Sequence, residues 1–380
     1  MVNFAQFMVF YLLVTIMALY AAQQFGASDA AGGFASSAFV VGATFARLFS
    51  GWAVDVLGRK RSLLASLIVV VIACLLYFPA HSLLALVAVR VLHGAAYAVA
   101  STAVMAVAQS VIPHHRRAEG TGYFALGTTL AAALGPAAGL ALSHAWGYNA
   151  IFVIVASLSG VALALSLLLR APAQERSGVT LSLGSIVHPR VAPIGAFMLL
   201  IGVAYAGIIT YINAYSRAAG LETGASFFFI AYAAISLIMR FVLGRVQDHR
   251  GDNAVVYMAL VSFTVGMAIL AAARADWMVI VAGLFVGLGY GSLMPAAQAI
   301  AVRLVPVTEM GAGISTLFLL LDVGIGFGPI LLGLLISATG YTTMYWLLAG
   351  LIVVASAVYF VVHGRTPAAR GPVVTVDEQD

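Results

Sequence analysis

The sequence has very few charged residues for its length. Only 8% of its 380 residues are Asp, Glu, Lys or Arg, whereas 63% are hydrophobic, which lies far outside the usage of soluble globular domains. The single cysteine, Cys74, falls in an apolar run, so neither a disulfide framework nor a Cys/His metal site is expected. The composition therefore predicts a multi-pass protein embedded in the lipid bilayer. The first apolar run lacks a preceding Lys or Arg and a cleavage site, and is expected to be a retained span.

The basic residues are too scattered to form a nucleic-acid-binding surface. The formal net charge is +5, but Lys and Arg occur singly or in short clusters at the ends of apolar runs. No nucleic acid, metal ion or cofactor is expected as a partner. The sequence also shows no nucleophile and base at the spacing of an enzyme active site, so an enzyme is not expected.

Twelve stretches are long and apolar enough to span a membrane, which takes roughly 20 residues each. Turn signals separate them, among them Gly58, Pro79, Pro113, Gly147, Gly251, Pro306 and Gly340. The predicted spans are residues 3–24, 32–54, 62–79, 82–111, 121–143, 148–169, 193–216, 225–246, 254–273, 277–304, 312–336 and 341–362. The predicted fold is all-α, with a six-helix bundle (1–169), a polar linker (170–192), a second six-helix bundle (193–362) and a short tail (363–380).

The distribution of basic residues predicts the orientation of these spans. Of 18 Lys and Arg, only Arg217 and Arg274 fall on the side opposite the linker, while Arg47, Arg90 and Arg240 fall within spans. Since cytoplasmic loops carry the excess of Lys and Arg, both termini and the linker are expected to be cytoplasmic.

The two halves of the chain repeat each other at an offset of 193 positions (240 − 47). Parallel repeats of this length in an apolar chain are typical of a transporter architecture in which two similar bundles face each other across a substrate site. The offset pairs Arg47 with Arg240, Gly51 with Gly244, Asp55 with Asp248, Gly58 with Gly251, Tyr97 with Tyr290 and Gly135-Pro136 with Gly328-Pro329.

Four charged residues lie more than one helical turn from the ends of predicted spans, where each costs on the order of 2.5–3.5 kcal/mol on insertion scales. Arg47 and Arg240 lie two turns before the ends of their spans, and either stabilise those ends or take part in gating. Asp322 lies about ten residues into its span, roughly 15 Å deep. It either loads and releases a proton or forms a permanent hydrogen bond or ion pair with a neighbouring helix.

Arg90 lies about eight residues inside the fourth predicted span and is followed by His93. Arg90 either binds an anionic group, holds a carboxylate ionised, or braces its helix against carbonyl groups. His93 titrates in a useful pH range, although a single His in an apolar span also serves as an ordinary packing residue.

Two Gly-Pro pairs lie in the middle of predicted spans. Such a pair removes a backbone hydrogen bond and allows a kink, so it predicts a hinge, with close helix packing as the alternative. The predicted hinge residues are Gly127, Gly135, Pro136, Gly139, Gly328 and Pro329.

The turn after the second span resembles a motif of the major facilitator superfamily, and within it of the twelve-helix drug:proton antiporters. The family pattern Gly-x-x-x-Asp-(Arg/Lys)-x-Gly-(Arg/Lys)-(Arg/Lys) has Val56 in place of one basic residue here, and its second copy, around Asp248, is degenerate, as is typical of the family. The matching residues are Gly51, Asp55, Gly58, Arg59 and Lys60.

Two further stretches carry the resemblance. Leu86, Arg90 and Gly94 are similar to a fourth-helix motif in which the Arg is linked to proton transfer, with His93 in place of the usual Gln. The row of Gly127, Gly135, Pro136 and Gly139 is similar to the antiporter signature of the fifth helix, with Ala131 replacing one glycine.

The resemblance implies a monomeric exporter in the bacterial inner membrane that couples proton influx to expulsion of a small organic or amphiphilic compound. Its substrate cavity is expected between helices 1, 4, 7 and 10. The alternatives are proton-coupled uptake or facilitated diffusion of a metabolite, and a non-transporting scaffold or receptor. Candidate cavity residues, for which interhelical packing is the alternative role, are Tyr11, Tyr97, Tyr205, Tyr211, Asn213, Tyr290, Met294 and Gln298.

Overall fold

A computed structural model describes residues 1–169 and 186–371, and all regular secondary structure in these ranges is helical. Short 3-10 turns at His114–Arg116 and Val307–Glu309 and a π-helix at Phe360–Gly364 accompany the α-helices. The α-helices are α1 (Val2–Phe25), α2 (Asp29–Leu57), α3 (Arg59–Leu76), α4 (Leu83–Val111), α5 (Arg117–Leu168), α6 (Ala192–Ala219), α7 (Glu222–Arg240), α8 (Leu243–Arg250), α9 (Asp252–Ala272), α10 (Asp276–Arg303), α11 (Met310–Tyr359) and α12 (Pro367–Arg370).

Nine helices among the described residues are long and apolar enough to cross a membrane. The predicted all-α membrane fold is confirmed, while the count of twelve spans stays a prediction. Many large apolar side chains lie at the protein surface, as a lipid environment requires. Examples are Val261, Trp277 and Leu334, each more than 60% exposed.

Two of the helices change direction at a glycine. The backbone of α5 is non-helical at Gly147 (φ 76°, ψ 177°) and that of α11 at Gly340 (φ 82°, ψ 171°), positions related by the repeat offset. These angles belong to a region that essentially only glycine occupies. The turn signals read from these two glycines therefore correspond to real breaks between helical segments.

The predicted span over residues 225–246 is wrong as one continuous helix. Helix α7 ends at Arg240, Phe241 and Val242 form a turn, and α8 begins at Leu243. The apolar run itself gives no sign of this interruption. Polar side chains of α8, among them Arg245 and Asp248, bond to the start of α5.

The chain forms two compact units. The first comprises Met1–Val111, Leu126–His188 and Val305–Thr316, and the second comprises Ile112–Ala125, Pro189–Leu304 and Leu317–Asp380. Each unit thus includes a short helix start from the other half of the sequence. Of the predicted linker and tail, residues 170–185 and 372–380 lie outside the described residues, and the predicted domain boundaries stay a prediction.

The core of the first unit is built from aromatic and aliphatic side chains of α1, α3, α4 and α5. Tyr77 and Phe152 stack in it with ring centroids 5.3 Å apart, and both are fully buried. Offset stacking of this kind adds to the stabilisation from burial alone.

The glycine breaks generate a stability prediction. Gly147→Ala should lower the free energy of unfolding by about 1–3 kcal/mol, because an L side chain is strained at this backbone conformation. No atom lies within 4 Å of an added Cβ at this position, so the effect reports backbone strain alone. Thermal unfolding of the purified protein in detergent measures it.

Gly160→Ala is the matched control on the same helix. Gly160 has equally open space around an added Cβ but helical backbone, where Ala is favoured over Gly by roughly 0.5–1 kcal/mol. Equal effects of the two substitutions would contradict the assigned break.

Candidate functional site

The carboxylate of Asp55 binds the start of another helix. Asp55 lies near the end of α2, and its two oxygens accept hydrogen bonds from the backbone N–H groups of Gly311 and Ala312, both at 2.8 Å. These are the second and third residues of α11, where N–H groups have no partner within the helix. The side chain is only 2% exposed, so this is a buried charge neutralised by a helix N-terminus.

The second copy of the motif makes the same contact. Asp248 of α8 accepts hydrogen bonds from the N–H groups of Ala118 (3.0 Å) and Glu119 (2.9 Å) at the start of α5. The partner positions are themselves related by the repeat offset, since 118 + 193 = 311 and 119 + 193 = 312. The internal repeat therefore includes these contacts as well as the residues that make them. We call the contacts of Asp55 and Asp248 the two helix-start contacts.

A glycine allows the close approach in each contact. A Cβ added at Gly51 would lie 2.6 Å from the Cα of Ala312, and one at Gly244 would lie 2.5 Å from the Cα of Glu119. No real Cβ tolerates such distances, so any other residue would push the helix start away from the carboxylate.

The basic residues of the motif bind carbonyl groups. Arg59, 5% exposed, donates to the carbonyl of Val307, just before α11. Lys60 donates to the carbonyl of Leu167 at 3.1 Å. Gly58 between the helices has φ 93°, which fits the tight turn expected from its position.

Arg47 and Arg240 are both buried at the helix-start contacts. Arg47 donates to the hydroxyl of Ser101 at 3.3 Å, and its own carbonyl accepts the hydroxyl of Ser315 at 2.6 Å. Arg240, 9% exposed, lines a small cleft in the second unit. The contacts of Arg47 fit stabilisation of the helix ends, and a part of Arg47 and Arg240 in gating stays a prediction.

An ionic network surrounds the second contact and was missed by sequence reasoning. Glu119 is bonded by Arg116 (2.8 Å) and Arg245 (2.7 Å), and the Arg116 and Arg245 guanidinium groups hold the pKa of Glu119 down at about 2. Nearby, Asp252 is bonded by Arg303 and, at 2.8 Å, by His363. The repeat offset could have indicated this charged site, because Asp252 occupies the position in the second copy that Arg59 occupies in the first.

The start of α11 has a further partner that the sequence did not suggest. The backbone N–H of His188 donates to the hydroxyl of Thr316 at 2.8 Å, and the ring of His188 lies 2.8 Å from a carboxylate oxygen of Glu309. His188 lies in the last part of the predicted linker (170–192), so that part is fixed to the same helix start as Asp55.

The predicted proton-coupling residues belong to both units, Arg90 and His93 to the first and Asp322 to the second. The guanidinium of Arg90 is fully buried and donates to the carbonyls of Ala35 (3.4 Å) and Ser36 (2.8 Å) of α2, the geometry of a brace between helices. His93 lies 3.0 Å from the hydroxyl of Tyr77. Asp322, on α11 in the other unit, is partly exposed. Their part in proton transfer stays a prediction.

The predicted hinge glycines form packing surfaces between helices. Gly127 and Gly139 of α5 face the backbone of α1, and Gly135 faces the side chain of Tyr11. Gly328 of α11 faces α6 in the same way. The side chain of Pro136 lies outside the described residues. The backbone stays helical through Gly135-Pro136 and Gly328-Pro329, and their hinge role stays a prediction.

The candidate cavity residues fall into two groups, one in each unit. In the first unit Tyr97 lies 5.1–5.9 Å from the rings of Phe7, Phe10 and Phe39, and Tyr11 contacts the first two of these. In the second unit the rings of Tyr205 and Tyr290 stack nearly parallel, with their centroids 3.6 Å apart. The remaining candidates of that unit are Tyr211, bonded to the carbonyl of Pro329, exposed Asn213, partly exposed Met294 and buried Gln298.

The sequence matches the family model described as Major Facilitator Superfamily over residues 1–276 and 222–378. The chain belongs to this family. Among curated relatives, the "Uncharacterized MFS-type transporter YhhS" of Escherichia coli (strain K12) is 25% identical over 380 residues, covering 97% of this chain and 92% of the relative. The protein of the same name from Salmonella typhimurium is 26% identical over 231 residues, covering 60% of this chain and 56% of that relative.

Solved structures share the fold at low sequence identity. The human organic anion transporter MFSD10 (TETRAN) superposes with a TM-score of 0.81 at 15% identity, covering 94% of this chain and 96% of that one. The proton:xylose symporter XylE gives a TM-score of 0.73 at 15% identity, covering 98% and 96%. The protein is therefore a multi-pass membrane transporter of this superfamily for a small-molecule substrate, and not an enzyme.

The repeated contacts generate a stability prediction. Asp55→Asn and Asp248→Asn should each lower the free energy of unfolding by about 1–2 kcal/mol, because each removes a negative charge from a helix N-terminus. Unfolding in detergent, followed by circular dichroism, measures both. Glu222→Gln is the control, since this acid is 69% exposed and its surface ion pair is expected to contribute at most about 1 kcal/mol. A loss in only one of the two Asp variants would contradict their equivalence.

The Glu119 network generates a pH prediction. The pKa of Glu119 is depressed from 4.5 to about 2 in the folded protein. The ion pairs therefore contribute their full stabilisation above the pKa of the unfolded state, and this stabilisation is lost as the pH falls through the folded-state pKa. The difference in unfolding free energy between wild type and Glu119→Gln should stay constant above pH 4.5 and shrink toward pH 2. Melting curves across this range measure it, and a difference that grows on acidification would refute the assigned ion pairs.

Proposed function

We propose that the protein is a proton-coupled exporter that expels a small organic or amphiphilic compound by alternating access. It works as a monomer in the bacterial inner membrane, with both termini in the cytoplasm. The direction is the one suggested by the resemblance to drug:proton antiporters.

The repeated pair of helix-start contacts carries the proposal. Asp55 and Asp248 lie at helix ends that the distribution of basic residues assigns to the cytoplasmic side. Opening that side requires each carboxylate to leave the start of α11 or α5. A contact that must be made and broken in every cycle suits a buried carboxylate on backbone N–H groups, since no side chain has to rearrange.

The free energy that the two helix-start contacts contribute is comparable with the free energy that one proton supplies on crossing the membrane. A carboxylate at a helix N-terminus contributes typically about 0.3–1 kcal/mol and up to about 2 kcal/mol when partly buried. One proton crossing a membrane potential of 100 mV supplies about 2.3 kcal/mol. Inward movement of one proton therefore suffices, in order of magnitude, to shift a gate held by two such contacts.

The position of Asp322 supports its part in coupling. It lies on α11, ten positions after Ala312 (322 − 312), which is roughly 15 Å along the helix. The same helix thus carries the proposed proton site and the helix start that Asp55 holds. In this mechanism Arg90 and His93 keep α4 fixed to its neighbours while they shape the field in the transport pathway.

Proton-coupled uptake or facilitated diffusion is the second candidate. Similarity to the proton:xylose symporter XylE and to FucP, solved in the outward conformation, favours it, because the same contacts can serve transport in either direction. The glycine row of α5 packed against α1, which resembles the antiporter signature, and the similarity to an organic anion transporter support export of an organic compound.

Asp322→Asn tests the coupling. In everted membrane vesicles that carry a pH-sensitive dye, addition of a transported compound to wild type should cause dequenching, because protons leave the vesicle lumen in exchange. The variant should lose this signal and uphill transport but keep downhill exchange, since an amide cannot carry the proton.

Glu222→Gln, an exposed site, serves as the control and should behave as wild type. Unchanged uphill transport in Asp322→Asn would remove this residue from the coupling role. Quenching on addition of the compound to right-side-out vesicles would show that protons enter the lumen together with it, which would reverse the direction and favour uptake.

A further inference from the structure

Residues 363–371 pack against the turn of the second motif copy, and we call this segment the strap. It comprises the end of the π-helix and the short helix α12. A Cβ added at Gly251 would lie 2.7 Å from the carbonyl oxygen of Gly371 and 2.8 Å from that of Ala369, so the backbone of the strap lies directly on this glycine. Ala369 itself is fully buried. The second motif copy therefore provides a docking site for the last described part of the chain.

Two side chains fix the beginning of the strap to the start of α9. The ring Nε2 of His363 lies 2.8 Å from a carboxylate oxygen of Asp252, and the side-chain amide of Asn253 donates to the carbonyl of Gly364 at 2.9 Å. An ionised carboxylate only accepts hydrogen bonds, so the ring of His363 is the donor. His363 is 5% exposed and Asp252 is 1% exposed. Loss of this donor is costly, because a buried carboxylate has little water to replace it.

Arg303 connects the strap with the second helix-start contact. Its guanidinium is bonded to Asp252 and lies 3.9 Å from a carboxylate oxygen of Asp248, the residue that accepts hydrogen bonds from the start of α5. Gln247, which precedes Asp248, also donates to Asp252, at 2.8 Å. An unbroken series of polar contacts therefore leads from the strap to the start of α5.

The first repeat lacks this arrangement within the described part of the chain. Gly58 is the repeat counterpart of the glycine under the strap, and a Cβ added there has no described atom within 4 Å. Asp252 is replaced by Arg59 and Arg303 by Ser110 (303 − 193). The first copy thus lacks the carboxylate to which the strap is bonded. The two helix-start contacts are equivalent in themselves, but only the second has a strap beside it.

We propose that the strap is a latch on the second helix-start contact. While the strap is docked, Asp252 and Arg303 stay out of water and the guanidinium remains beside Asp248. Release of the strap opens Asp252 to water, and the attraction between these charges weakens because the effective dielectric constant rises. Asp248 then leaves the start of α5 more readily. His363 is a positioning residue in this mechanism, because it acts on Asp248 through Asp252.

Thiol labelling of the full chain in detergent measures the docking of the strap. Ala369→Cys places the probe at a fully buried position, and Ala368→Cys, at the exposed neighbour, gives the rate of an accessible thiol. The natural thiol, Cys74, is buried, so the parent chain gives the blank. A maleimide should label the buried probe about tenfold faster when His363→Ala is added, since a hydrogen bond to a charged group changes an equilibrium by at least this factor.

Three further variants sharpen this measurement. His363→Gln keeps an amide donor in place of the ring Nε2, so labelling of the buried probe should stay near the wild-type rate. Gly251→Ala should release the strap, because the new Cβ meets strap backbone. Gly58→Ala is its matched control, with a similar positive φ (93° against 81°) but no strap beside it, and it should leave the labelling of the buried probe unchanged.

Ala118→Cys tests the connection from the strap to the start of α5. The backbone N–H of Ala118 donates to Asp248 and its side chain is 2% exposed, so labelling here rises when the contact opens. His363→Ala should accelerate it about two- to fivefold, the effect of one weakened charge pair, and His363→Gln should restore the slow rate. A strap that only stabilised the fold would change the melting temperature without changing this labelling rate.

Two outcomes overturn the inference. One is labelling of the Ala369→Cys probe that neither His363→Ala nor Gly251→Ala accelerates. The other is release of the strap in these variants with unchanged labelling of Ala118→Cys, which would leave the strap with a structural role alone. The inference rests on the proposed function only in treating the contact as part of the cytoplasmic gate. Thiol access needs neither substrate nor proton gradient, so the expected labelling without uphill transport would count against the proposed export alone.

Discussion

The structure depends on one interaction, a buried carboxylate on the unpaired N–H groups of a helix start. Asp55 makes it with α11 and Asp248 makes it with α5. A buried charge is tolerated only when it is paired and hydrogen-bonded, and here the partner is backbone, which every sequence supplies. What the sequence must provide is room for the helix start to approach the carboxylate closely. This explains why the residues at the point of approach, Gly51 and Gly244, have no side chain.

Much of the fold was readable from the sequence because its signals are local. Long apolar runs gave the helices, glycines at Gly147 and Gly340 gave the breaks, and the offset of the two motif copies gave the internal repeat. The division of residues 225–246 into two helices was not readable, because the apolar run continues through Phe241 and Val242, where the structure has a turn. Hydrophobic patterning alone does not locate such a break.

The site was predictable in its residues and only partly in its contacts. The motif singled out Asp55, Arg59 and Lys60, yet their partners are backbone groups, and a carbonyl or an N–H leaves no trace in residue identity. Glu119 was invisible for a related reason. Its importance comes from Arg116 and Arg245, and the second of these is distant in sequence. A repeat offset applied to contacts, not only to residues, would have located both helix starts.

The exchange of helix starts between the sequence halves bears on the origin of the repeat. Asp55 belongs to the first half but holds a helix of the second, and Asp248 does the reverse. A half-length ancestor with one such acid would have satisfied it only in a second copy of itself, through an isologous pair of contacts. Gene fusion would then have joined two chains that already exchanged their helix starts, and the two aspartates preserve that exchange.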